Sequence, residues 1–135
     1  ASTHTNLQKF MNTPRQHSDD EVKAIASTGG VVGIRYIEGK TSYELLADEI
    51  EYMIDLVGVE HVGVGWLGHD EGHPKVGHVP GFTNEPVPEG IESQTMFDHW
   101  SGFLSILQQR GYRDDQLALI LGGNYLRIWK EILPG

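Results

Sequence analysis

Val31-Val32-Gly33-Ile34 and His61-Val62-Gly63-Val64-Gly65 are two short runs of valine and glycine, each preceded by a segment with helical periodicity. Apolar runs of this length, without polar alternation, are expected of strands covered on both faces, as in a parallel sheet. Before the first, Ser18-Asp19-Asp20-Glu21 has the Ser-x-x-Glu spacing of a capping box, with acids where a helix N-terminus favours negative charge. Val22, Ile25 and Ala26 then share one face, and Gly29-Gly30 supplies the stop. Before the second, Thr41 and Glu44 form a similar pair, and Leu46, Ile50, Met53, Ile54 and Val57 recur at helical spacing as far as Gly58.

Helix, strand, helix, strand, helix is the order of right-handed parallel βαβ units, and it predicts that the two runs are adjacent parallel strands. Two strands alone would leave both sheet edges open. Either Ala1-Ser2-Thr3 is the stub of a third strand or further strands come from elsewhere.

Residues 66–92 are dense in Gly, Pro and His, show neither period, and read as a long loop. Within it, His69-Asp70-Glu71-Gly72-His73 and His78 form a cluster that could bind a metal or carry a proton; solvated loop residues are the plainer reading. A third amphipathic helix is expected over 93–110, with Met96, Phe97, Trp100, Phe103, Leu104 and Leu107 on one face and Gly111 after it. A shorter helix, 117–121, breaks at Gly122-Gly123, and Asn124 is placed to cap a last helix through Ile132. Trp100 and Phe103 read as core, Arg127 as solvated or helix-pairing, and His17 and His99 as surface residues.

A chain of 135 residues can bury a sizeable core, and its 39% apolar and 21% charged residues are ordinary for a folded protein. Nineteen acids against ten Lys and Arg give a net charge of −9, which argues against nucleic acid or an anionic membrane as partner. No apolar stretch approaches the roughly 20 residues of a transmembrane helix, and residues 1–12 lack the apolar centre of a signal peptide. A soluble chain is expected, with its compartment left open. With no cysteine, any metal must be held by His and carboxylates.

Several separated segments together resemble the renal or membrane dipeptidase family of zinc peptidases. Ser2-Thr3-His4-Thr5-Asn6 resembles the Ser-His-Ser-Asn segment that ends that family's sixth barrel strand, and Pro14-Arg15-Gln16-His17-Ser18-Asp19-Asp20 its Pro-Arg-Asn-x-x-Asp-Asp run. Thr28-Gly29-Gly30-Val31-Val32-Gly33 resembles the entry to strand seven, and Val57-Gly58-Val59-Glu60-His61-Val62-Gly63-Val64-Gly65 resembles strand eight. Val87-Pro88-Glu89-Gly90-Ile91-Glu92, Arg110-Gly111-Tyr112 and Gly122-Gly123-Asn124-Tyr125-Leu126-Arg127 continue the match. No one segment is diagnostic; their order and spacing carry the likeness.

The resemblance implies an α/β fold, the C-terminal part of a (β/α)8 TIM-type barrel covering about strands six to eight. Residues 1–135 would then be one segment, incomplete without preceding barrel strands. It also implies a zinc-dependent hydrolase that cleaves dipeptides with a metal-activated water, using a binuclear zinc centre most of whose ligands precede this chain. His4 matches a ligand of the second zinc, and Arg15 matches the arginine that holds the substrate's free carboxylate. Arg15 could instead pair with Asp19 or Asp20. The family's Gly-x-Asp-Phe-Asp-Gly follows strand eight; aligned without a gap its first Asp, a proton carrier, falls on Leu67. If the loop has gained residues, His69 and Asp70 take that catalytic place.

The partners implied are a dipeptide or other small-molecule substrate and the preceding barrel segment, with a homodimer left open. The isolated 135 residues are expected neither to hold zinc tightly nor to hydrolyse dipeptides. The alternatives are a non-catalytic or truncated member serving as an interaction module, and an unrelated flavodoxin-like or half-barrel domain.

Overall fold

The computed structural model describes residues 1–36, 41–66 and 96–133, and of these the backbone alone for 66 and 96–99. Three strands, β1 (Ser2–Thr5), β2 (Val32–Arg35) and β3 (Val62–Trp66), form a parallel sheet in that order. The expected pairing of the two valine-glycine runs is observed, with Val32 opposite Val62 and Ile34 opposite Val64. The N-terminal stub is a strand in its own right, with Ser2 opposite Val32. Trp66 belongs to β3 and not to the following loop, because a register shift lets its backbone continue the ladder opposite Arg35.

Helix α1 (Asp19–Ser27) starts at the expected capping box: the Glu21 amide donates to Ser18 Oγ, and the Ser18 amide donates to the Glu21 carboxylate at 2.8 Å. Helix α2 (Tyr43–Val57) is capped one residue later than the sequence suggests. Ser42 is its N-cap and accepts the Leu45 amide at 3.1 Å, so the Thr41–Glu44 box does not form the cap. Gly58 ends α2 with φ of 92°, a conformation that L side chains rarely adopt.

Beyond these lie α3 (Met96–Gln109), α4 (Asp114–Ala118), a wide turn through Leu119–Gly123, and α5 (Asn124–Ile132). Residues 67–95, which include the His69–His73 cluster, His78, Leu67 and the start expected for α3, lie outside the described residues.

Alternation along the strands divides the sheet into two faces. Val32, Ile34, Val62 and Val64 point to a core with Leu46, Ile50 and Met53 of α2, Phe103 and Leu107 of α3, and Leu117 and Ile120. Burying each of the larger side chains contributes about 1.5–3 kcal/mol. Phe103 is fully buried as expected, while Trp100 packs half-buried against that core. On the other face Gly33 and Gly63 leave room for the Tyr125 ring, which a Cβ at either position would strike. A Cβ at Gly65 would strike the Thr3 carbonyl oxygen, so the sheet curls until β1 and β3 meet.

Two residues of α5 make contacts that their local sequence did not announce. Asn124 caps nothing, because Gly123 before it is already helical; its Nδ2 donates to the carbonyls of Val59 at 2.7 Å and Val62 at 2.8 Å. Arg127 makes the expected pairing along its helix, with Glu131 at 3.5 Å, and in addition donates to the Gly29 carbonyl at 3.2 Å and the Glu60 carbonyl at 3.0 Å. Both residues tie α5 to the N-terminal ends of β2 and β3.

Candidate functional site

At the opposite end, where the strands finish, the chain leaves β1 and passes through residues 6–18 before α1. This loop is folded by polar groups that its own sequence and α2 supply. The Asn6 amide N–H donates to Gln16 Oε1 at 3.0 Å, and the His17 amide donates back to the Asn6 carbonyl at 3.0 Å. Asn6 Nδ2 donates to the Arg35 carbonyl at 3.0 Å and to Glu49 Oε2 at 2.9 Å, while the Leu7 amide donates to Glu49 Oε1. Asn6, Gln16 and Glu49 are all buried. Burial, opposed by the bonds from Asn6 and Leu7, pushes the Glu49 carboxyl from 4.5 up to about 7.

Further contacts hold the outer part of the loop. The Lys9 ammonium lies 3.6 Å from the centre of the Tyr52 ring, Phe10 meets that ring edge-on, and the Tyr52 hydroxyl donates to Asp19. His17, expected as a surface residue, is half-buried: its Nε2 lies 2.8 Å from Ser2 Oγ, which ties the loop's end to the start of β1.

His4 stands near the end of β1 on an exposed surface, with Nδ1 2.8 Å from Thr3 Oγ1. It offers one imidazole, and among the described residues no three His, Asp or Glu side chains are grouped as a metal ion would require. The described residues therefore do not form a metal centre by themselves. His69 and Asp70 lie outside the described residues.

Arg15 is exposed in the loop, and among the described residues it forms no ion pair with Asp19 or Asp20. Asp19 is engaged instead by the Tyr52 hydroxyl. Beside Arg15, Arg35 closes β2; burial, and then the positive charge of Arg15, hold the Arg35 guanidinium below its usual pKa. The end of the sheet thus presents His4 on β1, Arg35 at the end of β2 and Arg15 on the anchored loop between β1 and α1.

Asn6, Gln16, Arg35 and Glu49 were not singled out from sequence. Glu49 carried a signal: it falls between Leu46 and Ile50 on the apolar face of α2, where an acid must find donors. Arg35 carried one as well, as a cation ending a strand otherwise built of Val, Gly and Ile.

Parallel strands joined by helices, with polar residues gathered where the strands end, define an α/β fold built of parallel βαβ units. The model of the membrane dipeptidase family, peptidase family M19, matches residues 1–133, and the chain belongs to that family. Among curated sequences it is similar to an uncharacterized protein in the pqqA 5′ region of Klebsiella pneumoniae, 27% identical over 97% of this chain and 46% of the relative. Among solved structures it is similar to a metallopeptidase from Rhodobacter sphaeroides, liganded with a phosphinate mimic of L-Ala-D-Ala. The TM-score there is 0.68 at 17% identity, over 95% of this chain and 34% of that one. The probable dipeptidase PvdM from Pseudomonas aeruginosa gives a TM-score of 0.69 at 19% identity, over 95% of this chain and 43% of that one. The chain thus spans less than half the length of these relatives. Family membership supports hydrolase and metallopeptidase chemistry. Among the described residues no helix is long and apolar enough to cross a membrane.

Proposed function

We propose that this chain supplies strands six to eight of a (β/α)8 barrel in a zinc-dependent dipeptidase, acting together with preceding barrel strands. The observation that carries the reading is the anchored loop after β1. It sets Arg15 at the end of the sheet, beside the strand that bears His4, with no carboxylate of the described residues occupying its guanidinium. Arg15 grips the substrate's free carboxylate through its planar fork, and so orients the peptide bond towards the metal side of the site. His4 would give one imidazole to a binuclear zinc centre, most of whose ligands would come from the preceding barrel strands. Zinc there would polarise the peptide carbonyl and make hydroxide available near neutral pH.

His69 or Asp70 would carry the proton that Leu67 cannot. A dipeptide mimic is bound to the Rhodobacter enzyme, and a similar small substrate is the one proposed here. The test is hydrolysis of a panel of L,L- and L,D-dipeptides by the zinc-loaded protein that contains these residues. His4→Ala should lower both zinc content and turnover, whereas Asp70→Asn should lower turnover with zinc retained. Brisk hydrolysis untouched by either substitution would overturn these assignments.

A further inference from the structure

Helix α5 has one side fastened to the sheet and one side bare. On the fastened side Asn124 bonds the carbonyls of Val59 and Val62, and Arg127 those of Gly29 and Glu60. On the bare side Leu126, Trp129, Ile132 and, just past the helix, Leu133 are 53%, 54%, 67% and 63% exposed; among the described residues these are the exposed large apolar side chains. At 3.6 residues per turn, Ile132, Tyr125, Trp129, Leu133 and Leu126 follow one another around that side as a single apolar strip. Arg127, Lys130 and Glu131 border it and line a shallow groove with Leu126, which is the polar rim expected around an interface.

Tyr125 sets the direction of the strip. Its ring lies against Gly33 and Gly63, on the face of the sheet turned away from α2 and α3. Whatever covers the strip therefore stands beside that inner face, near the N-terminal ends of β2 and β3.

A second copy of the chain fits poorly there. Side chains this exposed leave roughly 100 Å² each, about 400 Å² for the strip, whereas a stable interface buries about 800 Å² per partner. Two copies with a net charge of −9 also repel. The relatives point to a different occupant: this chain covers 46% of the Klebsiella protein, 34% of the Rhodobacter enzyme and 43% of PvdM, so each of them has at least as much chain again. In a closed barrel the remaining strands stand across the inner face of the sheet, the side to which the strip is turned.

We propose that Leu126, Trp129, Ile132 and Leu133 form the surface on which the preceding barrel segment docks, an assignment that rests on the barrel reading above. Helix α5 then braces the bottom of the barrel. Its polar side holds β2 and β3, and its apolar side holds the other half.

The experiment is hydroxyl-radical footprinting, read residue by residue by mass spectrometry, of the 135-residue chain and of the zinc-loaded longer protein that contains it. In the 135-residue chain the four side chains should oxidise as exposed residues, at a rate independent of chain concentration. In the longer protein their rates should fall about fivefold or more, as the exposed fraction drops from over one half to about a tenth. Trp129→Ser should leave the melting temperature of the 135-residue chain within about 1 °C and lower that of the longer protein by roughly 5 °C or more. Unchanged oxidation in a longer protein that hydrolyses dipeptides would overturn the docking surface and leave the dipeptidase reading standing. Protection that appears in the 135-residue chain alone as its concentration rises would put a second copy on the strip, which also contradicts the proposal. Protection in a longer protein that hydrolyses no dipeptide would support the docking surface and remove the dipeptidase reading.

Discussion

Arg127 and Arg35 lie at opposite ends of the same short strands and are treated in opposite ways. At the N-terminal ends, Arg127 and Asn124 spend their donors on four backbone carbonyls, those of Gly29, Glu60, Val59 and Val62. At the C-terminal ends, Arg35 keeps a buried Nε without a partner and Arg15 stays exposed in its loop. In the barrel proposed for this chain, that division would match the usual one, with stability at the bottom face and chemistry at the top. The side-chain donors of Arg127 and Asn124 are used by the fold, whereas Arg35 Nε has no partner among the described residues. Beneath the C-terminal ends, Asn6, Gln16 and Glu49 are as fully buried as the core, so that end rests on a firm support.

The largest effect expected from disturbing this division is on Glu49. Its folded pKa is raised from 4.5 to about 7, so its stabilising contribution is complete below about 4.5 and is lost as pH rises through about 7. A shift of that size corresponds to about 3 kcal/mol. Urea unfolding of the parent chain and of Glu49→Gln should show their stability difference moving against the parent by that order between pH 5 and pH 8. Parallel profiles would mean that burial does not perturb this carboxyl.

Smaller effects should separate the two ends directly. Asn124→Ala strips two buried carbonyls of their donor and should cost about 2 kcal/mol in the same measurement. Arg35→Met removes a buried donor that has no partner among the described residues and should leave stability unchanged or raise it by about 1 kcal/mol. Comparable losses in the two variants would erase the distinction between a structural end and a ligand-binding end.

Local chemistry was legible in the sequence wherever it was written in neighbouring residues. The Ser18–Glu21 box, the stop at Gly58 and the parallel pairing of the two valine-glycine runs were all readable, because capping, φ and alternation depend on short-range spacing. Roles that depend on distant partners were not. Asn124 looks like a cap until the carbonyls of Val59 and Val62 are brought to it by folding, and Arg127 looks solvated or helix-pairing until Gly29 and Glu60 arrive. His4 and Arg15 were reached through family resemblance; the anchors that hold their loop, Asn6 and Glu49, lie 43 positions apart and needed the fold to join them.

The claim on which the rest depends is that Arg15 holds the substrate carboxylate. It is tested most directly by comparing L-alanyl-L-alanine with its C-terminal amide, using the zinc-loaded protein that contains these residues and its Arg15→Ala variant. The parent should favour the free dipeptide by roughly 10- to 100-fold in kcat/KM, as befits a charge-assisted bidentate contact. In Arg15→Ala that preference should collapse to near unity, with KM rising more than kcat falls, because the contact is made in ground and transition states alike. A preference for the free carboxylate that survives Arg15→Ala would place the carboxylate on another residue and contradict the assignment.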